Sequence, residues 1–277
     1  MRIWQSIVLG IIQGVAELLP ISSSGHLKIF ENLMNLPDVE KLLFFDVMLH
    51  FGTLIAVFAA YWRDIVGIIN ELLEMVHIRK APKGKKKDAA TRRMILMLIA
   101  ATLPLALYLI YKDFIKALGA SLFFVGAMLI VNGVILYISD RFCYGKKDVK
   151  QMTLLDAILI GVAQAFAPLP GISRSGITIT TGMARGLERE YAVKFSFLLS
   201  IPAVLGATLL ELVDAIKEGI QPGLILPCLI GIVVAATVGY AAIRLLKFIT
   251  QRNAFGKFAY YCWGAGLVTL ILALISN

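Results

Sequence analysis

Two short segments hold most of the side chains in this chain that could carry out chemistry. They read "GIIQGVAELLPISSSGH" at residues 10–26 and "GVAQAFAPLPGISRSGI" at residues 161–177, and eight of the 17 aligned positions are identical. An acid, a hydroxyl and an imidazole in the first copy stand where the second copy has only one fixed cation. The altered positions are Glu17, Ser23 and His26 in the first copy and Pro168, Arg174 and Ile177 in the second. Polar side chains inside an apolar chain mark a functional site by default.

Gln13 and Glu17 are the candidate ligands for a metal ion. They lie four residues apart, so on a helix they share one face. A carboxylate in apolar surroundings must take up a proton or meet a cation. Hard divalent ions take oxygen ligands of this kind and also bridge phosphates. The pair therefore suits a divalent cation.

In each copy the apolar run is broken by Pro, Gly and Ser residues, at residues 20–25 and 168–176. The serines at these two breaks predict helix starts that bind an anion. A serine before a helix caps it, and the free N–H groups of the first turn form an anion site. In the first copy these residues are Ser22, Ser23, Ser24 and Gly25, with His26 in the first turn. In the second copy they are Ser173, Arg174, Ser175 and Gly176, with Thr178 just inside the helix. An arginine fork beside hydroxyl donors suits a compact anion with several oxygens, such as a phosphate.

Some of these residues also have a purely structural interpretation. Ser22 and Ser24 recur in the second copy, so capping alone could account for them. Gly25 and Gly176 could simply permit tight packing. The residues at the asymmetric positions are the stronger candidates for function, and they are Glu17, Ser23, His26 and Arg174.

The composition places these residues in a membrane. Apolar residues make up 59% of the 277-residue chain and charged residues 16%, with a mean hydropathy of +0.82. Soluble domains average about 45–50% apolar and about 25% charged residues, so we predict an all-α polytopic membrane protein. Roughly 20 apolar residues cross a bilayer, and six stretches are long enough. They are Leu42–Trp62, Met94–Tyr111, Ser121–Ser139, Tyr191–Leu212, Leu224–Leu246 and Phe258–Ile275.

Two further apolar segments contain the breaks and are too short for simple spans. Ile3–Leu19 stops at Pro20 and is followed by a second short arm that ends near Met34. Leu154–Ala167 leads through "PLPGISRSG" into a second arm that ends near Ala184. This pattern is typical of a re-entrant hairpin, whose broken backbone is buried in protein or lines a cavity. The alternative is a kinked helix of full length in each case.

The distribution of basic residues predicts the orientation in the membrane. The segment Ile78–Arg93 holds eight Lys and Arg residues, so the positive-inside rule places it in the cytoplasm. If each predicted span crosses the membrane once, the loops that lie on the cytoplasmic side together hold 20 of the 27 basic residues. The same segment fits an anchor for anionic lipid heads. No aromatic residues are interleaved with these charges and no binding motif is present, so we expect no nucleic-acid partner.

This topology predicts one integral membrane domain of two inverted repeats. Repeat one covers about residues 1–150 and repeat two about residues 151–277, and each is a hairpin followed by three spans. An odd number of spans inverts the second copy, and inverted repeats with broken helices build a site near the midplane. Both termini then lie outside. The N-terminal segment has no small-residue cleavage site after a basic region, so we expect it to be retained.

The residues at the two breaks carry a resemblance to a known family. "QGVAELLPISSSGH" and "PGISRSGIT" resemble the two signature motifs of the undecaprenyl pyrophosphate phosphatase family, the bacitracin-resistance proteins of bacterial inner membranes. Length, hydropathy and repeat layout match that family over essentially the whole chain. The first motif has Glu or Gln at the position of Gln13, and "FFDVMLHFGT" at residues 44–53 also resembles a family segment.

The resemblance implies an activity and its setting. The family removes the terminal phosphate from undecaprenyl pyrophosphate, which gives undecaprenyl phosphate and inorganic phosphate and recycles the lipid carrier for cell-wall synthesis. The reaction needs a divalent cation, Mg2+ or Ca2+. Six transmembrane helices and re-entrant helices form a site that opens to the outer face of the membrane. The sequence is compatible with a homodimer.

The resemblance also assigns substrate contacts by position. Arg174 is expected to bind the pyrophosphate and to stabilise charge on the transferred phosphoryl group. The substrate-binding residues expected beside it are Ser173, Ser175, Gly176 and Thr178 from the second motif, and Ser22, Ser24 and Gly25 from the first.

The catalytic roles fall on the first motif. Glu17 is expected to hold the metal or to act as a base, with Gln13 beside it. Ser23 is the candidate nucleophile, with Ser22 as the second choice, and His26 would activate the hydroxyl or protonate the leaving phosphate. The competing mechanism is direct attack by an activated water, with Ser23 only binding phosphate.

The alternative function is a secondary transporter or a lipid-carrier flippase. Inverted repeats and broken helices also build transporters, and Glu17 with His26 could relay protons, since fold does not decide function. A Ser-Arg-Ser set that faces a Glu, Ser and His set suits hydrolysis of a phosphate ester better than passage of a solute.

Two features of the spans complete the expectations. Asp46 and His50 lie four residues apart in the first span, where we expect a satisfied buried pair or a contact that supports the hairpin. Pro104, Pro202 and Pro227 are expected to kink their spans.

Overall fold

The helices of the protein follow the apolar stretches of its sequence. A computed structural model describes residues 1–34, 36, 39–78, 88–119, 121–218, 222–252 and 254–275. Within these ranges the helices are α1 (Ile3–Leu18), α2 (Ser23–Leu33), α3 (Val39–Ala60), α4 (Trp62–Met75), α5 (Ala89–Thr102), α6 (Tyr108–Gly119), α7 (Leu122–Phe142), α8 (Leu154–Ala165), α9 (Arg174–Ala184), α10 (Arg189–Glu218), α11 (Pro222–Gln251) and α12 (Lys257–Ile275). Most of the basic segment on which the predicted orientation depends, residues 79–87, lies outside the described residues.

Five helices are long and apolar enough to cross a membrane. They are Ala89–Leu107, Leu122–Phe142, Arg189–Leu210, Gly223–Gln251 and Lys257–Ile275. A sixth candidate is the pair Phe44–Ala60 and Trp62–Met75, whose two helices are bent by 87°. α1 and α8 are apolar but shorter. The protein is therefore an all-helical polytopic membrane protein, as predicted, with five or six candidate spans among the described residues.

The long helices extend beyond the predicted apolar stretches. α5 begins at Ala89 rather than at Met94, and α10 and α11 continue to Glu218 and Gln251. Sequence hydropathy ends where charged residues begin, whereas a helix continues until its backbone loses its hydrogen bonds. Side-chain caps fix some of the starts, as when the Asp88 carboxylate accepts the N–H group of Ala90 at the start of α5.

The three prolines have different effects on their helices. At Pro104 the α-helix stops and the segment Leu103–Leu107 is a 3-10 helix, because proline has no N–H group to donate and clashes with the preceding turn. Pro202 and Pro227 lie inside the continuous helices α10 and α11. The irregularity expected at Pro104 is therefore a change from α-helix to 3-10 helix within one candidate span, while kinks at Pro202 and Pro227 stay predictions.

α4 is an element that the sequence did not predict. It leaves the end of α3 at a right angle after Tyr61. Glu71 on α4 accepts a hydrogen bond from Arg92 on α5 at 2.6 Å, and Asp64 forms an ion pair with Lys194 on α10 at 2.5 Å. These contacts hold α4 against two of the long helices.

The two helix pairs that carry the breaks pack against longer helices. α1 lies on α11 and α3, while α9 contacts α7, α8 and α10. α7 pairs with α12, α3 with α10, and α5 with α8. Large side chains fill the space between these helices, and the fully buried phenylalanines are Phe45, Phe195, Phe197 and Phe255. α1 also touches α9, so the two breaks come close together.

Candidate functional site

Each break is a tight turn that ends in a serine cap. The Ser22 hydroxyl accepts the N–H group of Gly25 at 3.3 Å, and the Ser173 hydroxyl accepts the N–H group of Gly176 at 3.1 Å. Ser22 has a φ of 73°, which is uncommon for a residue with a side chain. The predicted serine caps are therefore confirmed, and both hydroxyl groups are already used within the protein.

The two breaks touch each other. A Cβ atom on Gly25 would lie 3.2 Å from the backbone N and Cα atoms of Gly171, which is tighter than most contacts of a Cβ atom. The buried Ser175 hydroxyl lies 3.5 Å from the carbonyl oxygen of Glu17 and 3.4 Å from that of Leu19. Residues from both copies of the duplicated segment thus form one site.

Glu17 is the centre of this site. Its side chain is buried, and Oε1 accepts a hydrogen bond from Nη2 of Arg174 at 2.5 Å. Oε2 accepts hydrogen bonds from Oγ of Ser23 at 2.5 Å and from Nε2 of Gln13 at 3.3 Å. Nε2 of His50 lies 3.3 Å from the same oxygen. Burial of a carboxylate is costly unless it is paired and hydrogen-bonded, and these four partners provide that compensation.

Arg174 has donor capacity that the protein does not use. Its side chain is 15% exposed, and Nη2 is bonded to Glu17. Nη1 is buried and has no hydrogen-bond partner within the described part of the chain. A buried donor without a partner costs about 1–3 kcal/mol, so a free guanidinium nitrogen beside a hydroxyl and a carboxylate indicates a place for an anion.

Gln13 has an unused acceptor at the same place. Its Oε1 atom is buried without a hydrogen-bond partner in the described residues, while its Nε2 atom is bonded to Glu17. This amide oxygen and the Glu17 carboxylate form a small set of hard oxygen ligands. Among the described residues, no three or more His, Cys, Asp or Glu side chains are grouped so that they could hold a metal ion by themselves. Mg2+ is commonly bound by one or two carboxylates together with substrate phosphates, so these two residues fit a divalent cation.

His26 is hydrogen-bonded to residues other than Ser23. Its Nδ1 atom donates to the Ser22 carbonyl oxygen at 2.7 Å, because a carbonyl can only accept. Its Nε2 atom lies 2.9 Å from the hydroxyl of Tyr261 on α12, and the two rings are stacked with centroids 5.6 Å apart. Glu17, rather than His26, is the group that contacts the Ser23 hydroxyl.

His50 belongs to the site, and Asp46 contacts His50 through its main-chain oxygen. Nδ1 of His50 donates to the main-chain oxygen of Asp46 at 2.8 Å, one helical turn earlier. Nε2 is thereby directed to Glu17 on α1. The predicted contact that supports the first helix pair is confirmed, and the pairing of His50 with Asp46 runs through the Asp46 main chain.

Asn132 on α7 is a site residue that the sequence analysis missed. Its side chain is fully buried and hydrogen-bonds to both breaks. The one available signal was an isolated amide in the middle of an apolar span, and such residues are functional by default.

The remaining predicted binding residues take part in packing and capping. Oγ1 of Thr178 contacts Oγ of Ser196 on α10 at 2.6 Å and donates to the Arg174 carbonyl oxygen at 2.8 Å. Ser24 is half-buried, with its Oγ atom 3.5 Å from that of Ser22. A Cβ atom on Gly176 would lie 3.3 Å from Oδ1 of Asn132. The structure therefore brings four predicted residues into direct side-chain contact: Gln13, Glu17, Ser23 and Arg174.

Comparison with known proteins agrees with the motifs at the breaks. Residues 6–268 match the family described as "Bacitracin resistance protein BacA". A relative from Alkaliphilus metalliredigens is 37% identical over 276 residues, which cover 99% of this chain and 100% of that protein. A relative from Halothermothrix orenii is 39% identical over 274 residues, or 99% of each protein. One from Trichlorobacter lovleyi is 40% identical over 277 residues, or 98% of this chain and 97% of that protein. All three carry the name undecaprenyl-diphosphatase.

Proposed function

Because this chain belongs to the bacitracin resistance protein BacA family, we propose that it is an undecaprenyl-diphosphatase. It hydrolyses undecaprenyl pyrophosphate to undecaprenyl phosphate and inorganic phosphate, which returns the lipid carrier to cell-wall synthesis and confers bacitracin resistance. The observation that carries this proposal is the contact of Glu17 with both Ser23 and Arg174. It combines a hydroxyl nucleophile, a base and a phosphate-binding cation in one buried cluster.

Ser23 is the nucleophile in the proposed mechanism, and Glu17 is its base. A base must lie within hydrogen-bond reach of the proton that it removes, and the Ser23 Oγ atom lies 2.5 Å from Oε2 of Glu17. Oγ forms a bond to the terminal phosphorus while the bond from phosphorus to the bridging oxygen breaks. Undecaprenyl phosphate leaves with that electron pair. Water then hydrolyses the phosphoserine and releases inorganic phosphate.

Arg174 stabilises the transferred phosphoryl group. Phosphoryl transfer spreads charge over three equatorial oxygens, and fixed cations lower its barrier. The unused Nη1 atom can bind a phosphate oxygen while Nη2 keeps its bond to Glu17. The same arginine therefore orients the base and binds the substrate.

A divalent cation, Mg2+ or Ca2+, is part of the proposal. When bound, it would neutralise charge on the diphosphate oxygens. Glu17 and Gln13 are the residues that would hold it, because the Gln13 Oε1 atom is buried beside Glu17 and has no hydrogen-bond partner among the residues that the structure describes.

His26 is assigned to proton transfer at the leaving phosphate. Its Nδ1 atom is bonded to the Ser22 carbonyl, so only Nε2 can exchange a proton with substrate. The Tyr261 hydroxyl, which now contacts Nε2, must move for that exchange. Direct attack by water, with Ser23 only binding phosphate, is the competing mechanism.

We also propose that the chain is one domain of six spans and two re-entrant hairpins, in inverted repeats of residues 1–150 and 151–277. In the two repeats α1 corresponds to α8, and α5 corresponds to α11. Packing supports the repeat, since α1 lies on α11 and, equivalently, α8 lies on α5. The remaining counterparts, α3 with α10 and α7 with α12, pair with one another. A two-fold axis in the membrane plane would produce these pairings.

The proposed orientation puts the basic helix ends in the cytoplasm and opens the site to the outer face of a bacterial inner membrane. If consecutive spans cross the membrane in opposite directions, several helix ends with a nearby basic residue lie on the same side. These basic residues are Arg63, Arg141, Arg189, Arg252 and Lys257. A homodimer and the absence of nucleic-acid binding stay predictions from the sequence.

The test is phosphate release by the detergent-purified protein from undecaprenyl pyrophosphate, with undecaprenyl phosphate as the control substrate. We expect release from the pyrophosphate alone, loss of release with EDTA, and recovery with Mg2+ or Ca2+. If folded protein releases no phosphate with any of several divalent ions, the proposal is wrong and a transporter or flippase becomes the better account.

A further inference from the structure

Asn132 joins the two breaks with a single side chain. Its Nδ2 atom donates to the carbonyl oxygen of Pro20 in the first break at 3.0 Å. Its Oδ1 atom accepts the N–H group of Ser173 in the second break at 3.0 Å. The side chain is fully buried in the middle of α7, so water does not compete for these bonds.

The two backbone groups that Asn132 binds flank the reacting side chains. Pro20 follows Glu17 by three residues, and Ser173 immediately precedes Arg174. The amide therefore fixes the distance between the turn that holds the base and the helix start that holds the phosphate-binding cation. A carboxamide provides the donor and the acceptor on two separate atoms of one short side chain. Cys262, 3.4 Å from Nδ2 of Asn132, is a weaker partner because its sulfur is a poor hydrogen-bonding atom.

We propose that Asn132 is a positioning residue for phosphoryl transfer, and this inference rests on the proposed function. The contact between Glu17 and Arg174 joins the two copies of the duplicated segment, and Asn132 is the buried amide that hydrogen-bonds both copies. Reacting groups must be held within about 0.5 Å of the productive geometry. A misplacement of about 1 Å from a distant change can cost about 10²-fold in rate.

The test compares two substitutions in the full-length protein. Asn132→Leu keeps the approximate volume and removes both hydrogen bonds. Asn132→Asp keeps the acceptor for the Ser173 N–H group and exchanges the amide donor to Pro20 for a carboxyl O–H group. We expect kcat to fall about 10²-fold in Asn132→Leu and by a smaller factor in Asn132→Asp, while KM changes by less than about threefold, as for an interaction that matters in the transition state.

The matched control is Thr269→Val on α12, which removes a buried hydroxyl whose hydrogen-bond partner is a carbonyl of its own helix. Its kcat should stay at the wild-type value. Thermal unfolding and gel filtration of each variant separate a change in rate from a loss of folded protein.

The inference is wrong if folded Asn132→Leu, or Asn132→Ala where the first variant does not fold, keeps the wild-type kcat. It is also wrong if activity falls only in proportion to the folded fraction. Failure of the wild-type protein to release phosphate would instead reject the proposed function, so the two failures are distinguishable.

Discussion

Glu17 has four side-chain partners, and they limit what its carboxylate can do. Nη2 of Arg174 donates a hydrogen bond to one of its oxygens, and the Ser23 hydroxyl donates to the other. Removing one partner of a buried ion pair typically costs about 3–5 kcal/mol, because the other charge is left uncompensated. Variants at this cluster therefore need a folding measurement beside each rate.

Ser23→Ala should separate the two mechanisms at the residue scale. If Ser23 is the nucleophile, the substitution should lower kcat by about 10³-fold or more, as for other catalytic nucleophiles. Thr237→Ala is the control, because this residue is exposed on α11 and its hydroxyl donates to the Val233 carbonyl oxygen of the same helix. A loss of only about tenfold in folded Ser23→Ala would favour attack by water.

Gln13→Glu should strengthen cation binding. A second carboxylate about 4 Å from a bound charge is worth about 4 kcal/mol at an intermediate dielectric, part of which is lost to repulsion by Glu17. We expect the Mg2+ concentration for half-maximal phosphate release to fall by at least about tenfold.

The internal repeat provides a matched control for that change. Gln164 occupies the equivalent position in the second copy and is also buried. Gln164→Glu should destabilise the protein without lowering the Mg2+ requirement. An unchanged requirement in Gln13→Glu would remove Gln13 from the cation site.

At the scale of elements, the second break depends on a glycine that no other residue can replace. Gly171 has a φ of +101°, and a Cβ atom there would lie 2.6 Å from the Met128 Cβ atom and the Val125 carbonyl oxygen on α7. Gly171→Ala should therefore destabilise the protein by about 1–3 kcal/mol and lower its Tm in detergent. Gly264→Ala is the control, since its Cβ position has open space: beyond its own stretch of helix, no heavy atom of the described residues lies within 4 Å. Equal Tm values for the two variants would contradict this packing.

The breaks and most helices could be predicted because their signals are local. Proline, glycine and serine interrupt apolar runs at Pro20 and at Pro168, and the structure breaks its helices there. The end of α3 at Tyr61 has no such signal, so the right-angled helix α4 was not predicted. Asn132 and His50 were not assigned to the site because their partners are distant in sequence, and only packing brings them together.

At the scale of the whole molecule, the orientation depends on the asymmetry of basic residues, which single cysteines can test. In protein without Cys143, Cys228 and Cys262, a membrane-impermeant thiol reagent added outside should label a cysteine at Ser121. It should not label one at Lys85 until the membrane is permeabilised, because the basic segment is expected in the cytoplasm. Labelling of position 85 from outside would reverse the topology.

The central claim is that the contact between the two halves at Glu17 and Arg174 is the catalytic site. Its most direct test is the rate of phosphate release from undecaprenyl pyrophosphate by Arg174→Ala, beside Arg141→Ala, an exposed arginine on α7. With both proteins folded, Arg174→Ala should lose about 10³-fold in kcat or more, and Arg141→Ala should match the wild type. Near-normal turnover by folded Arg174→Ala would contradict the account.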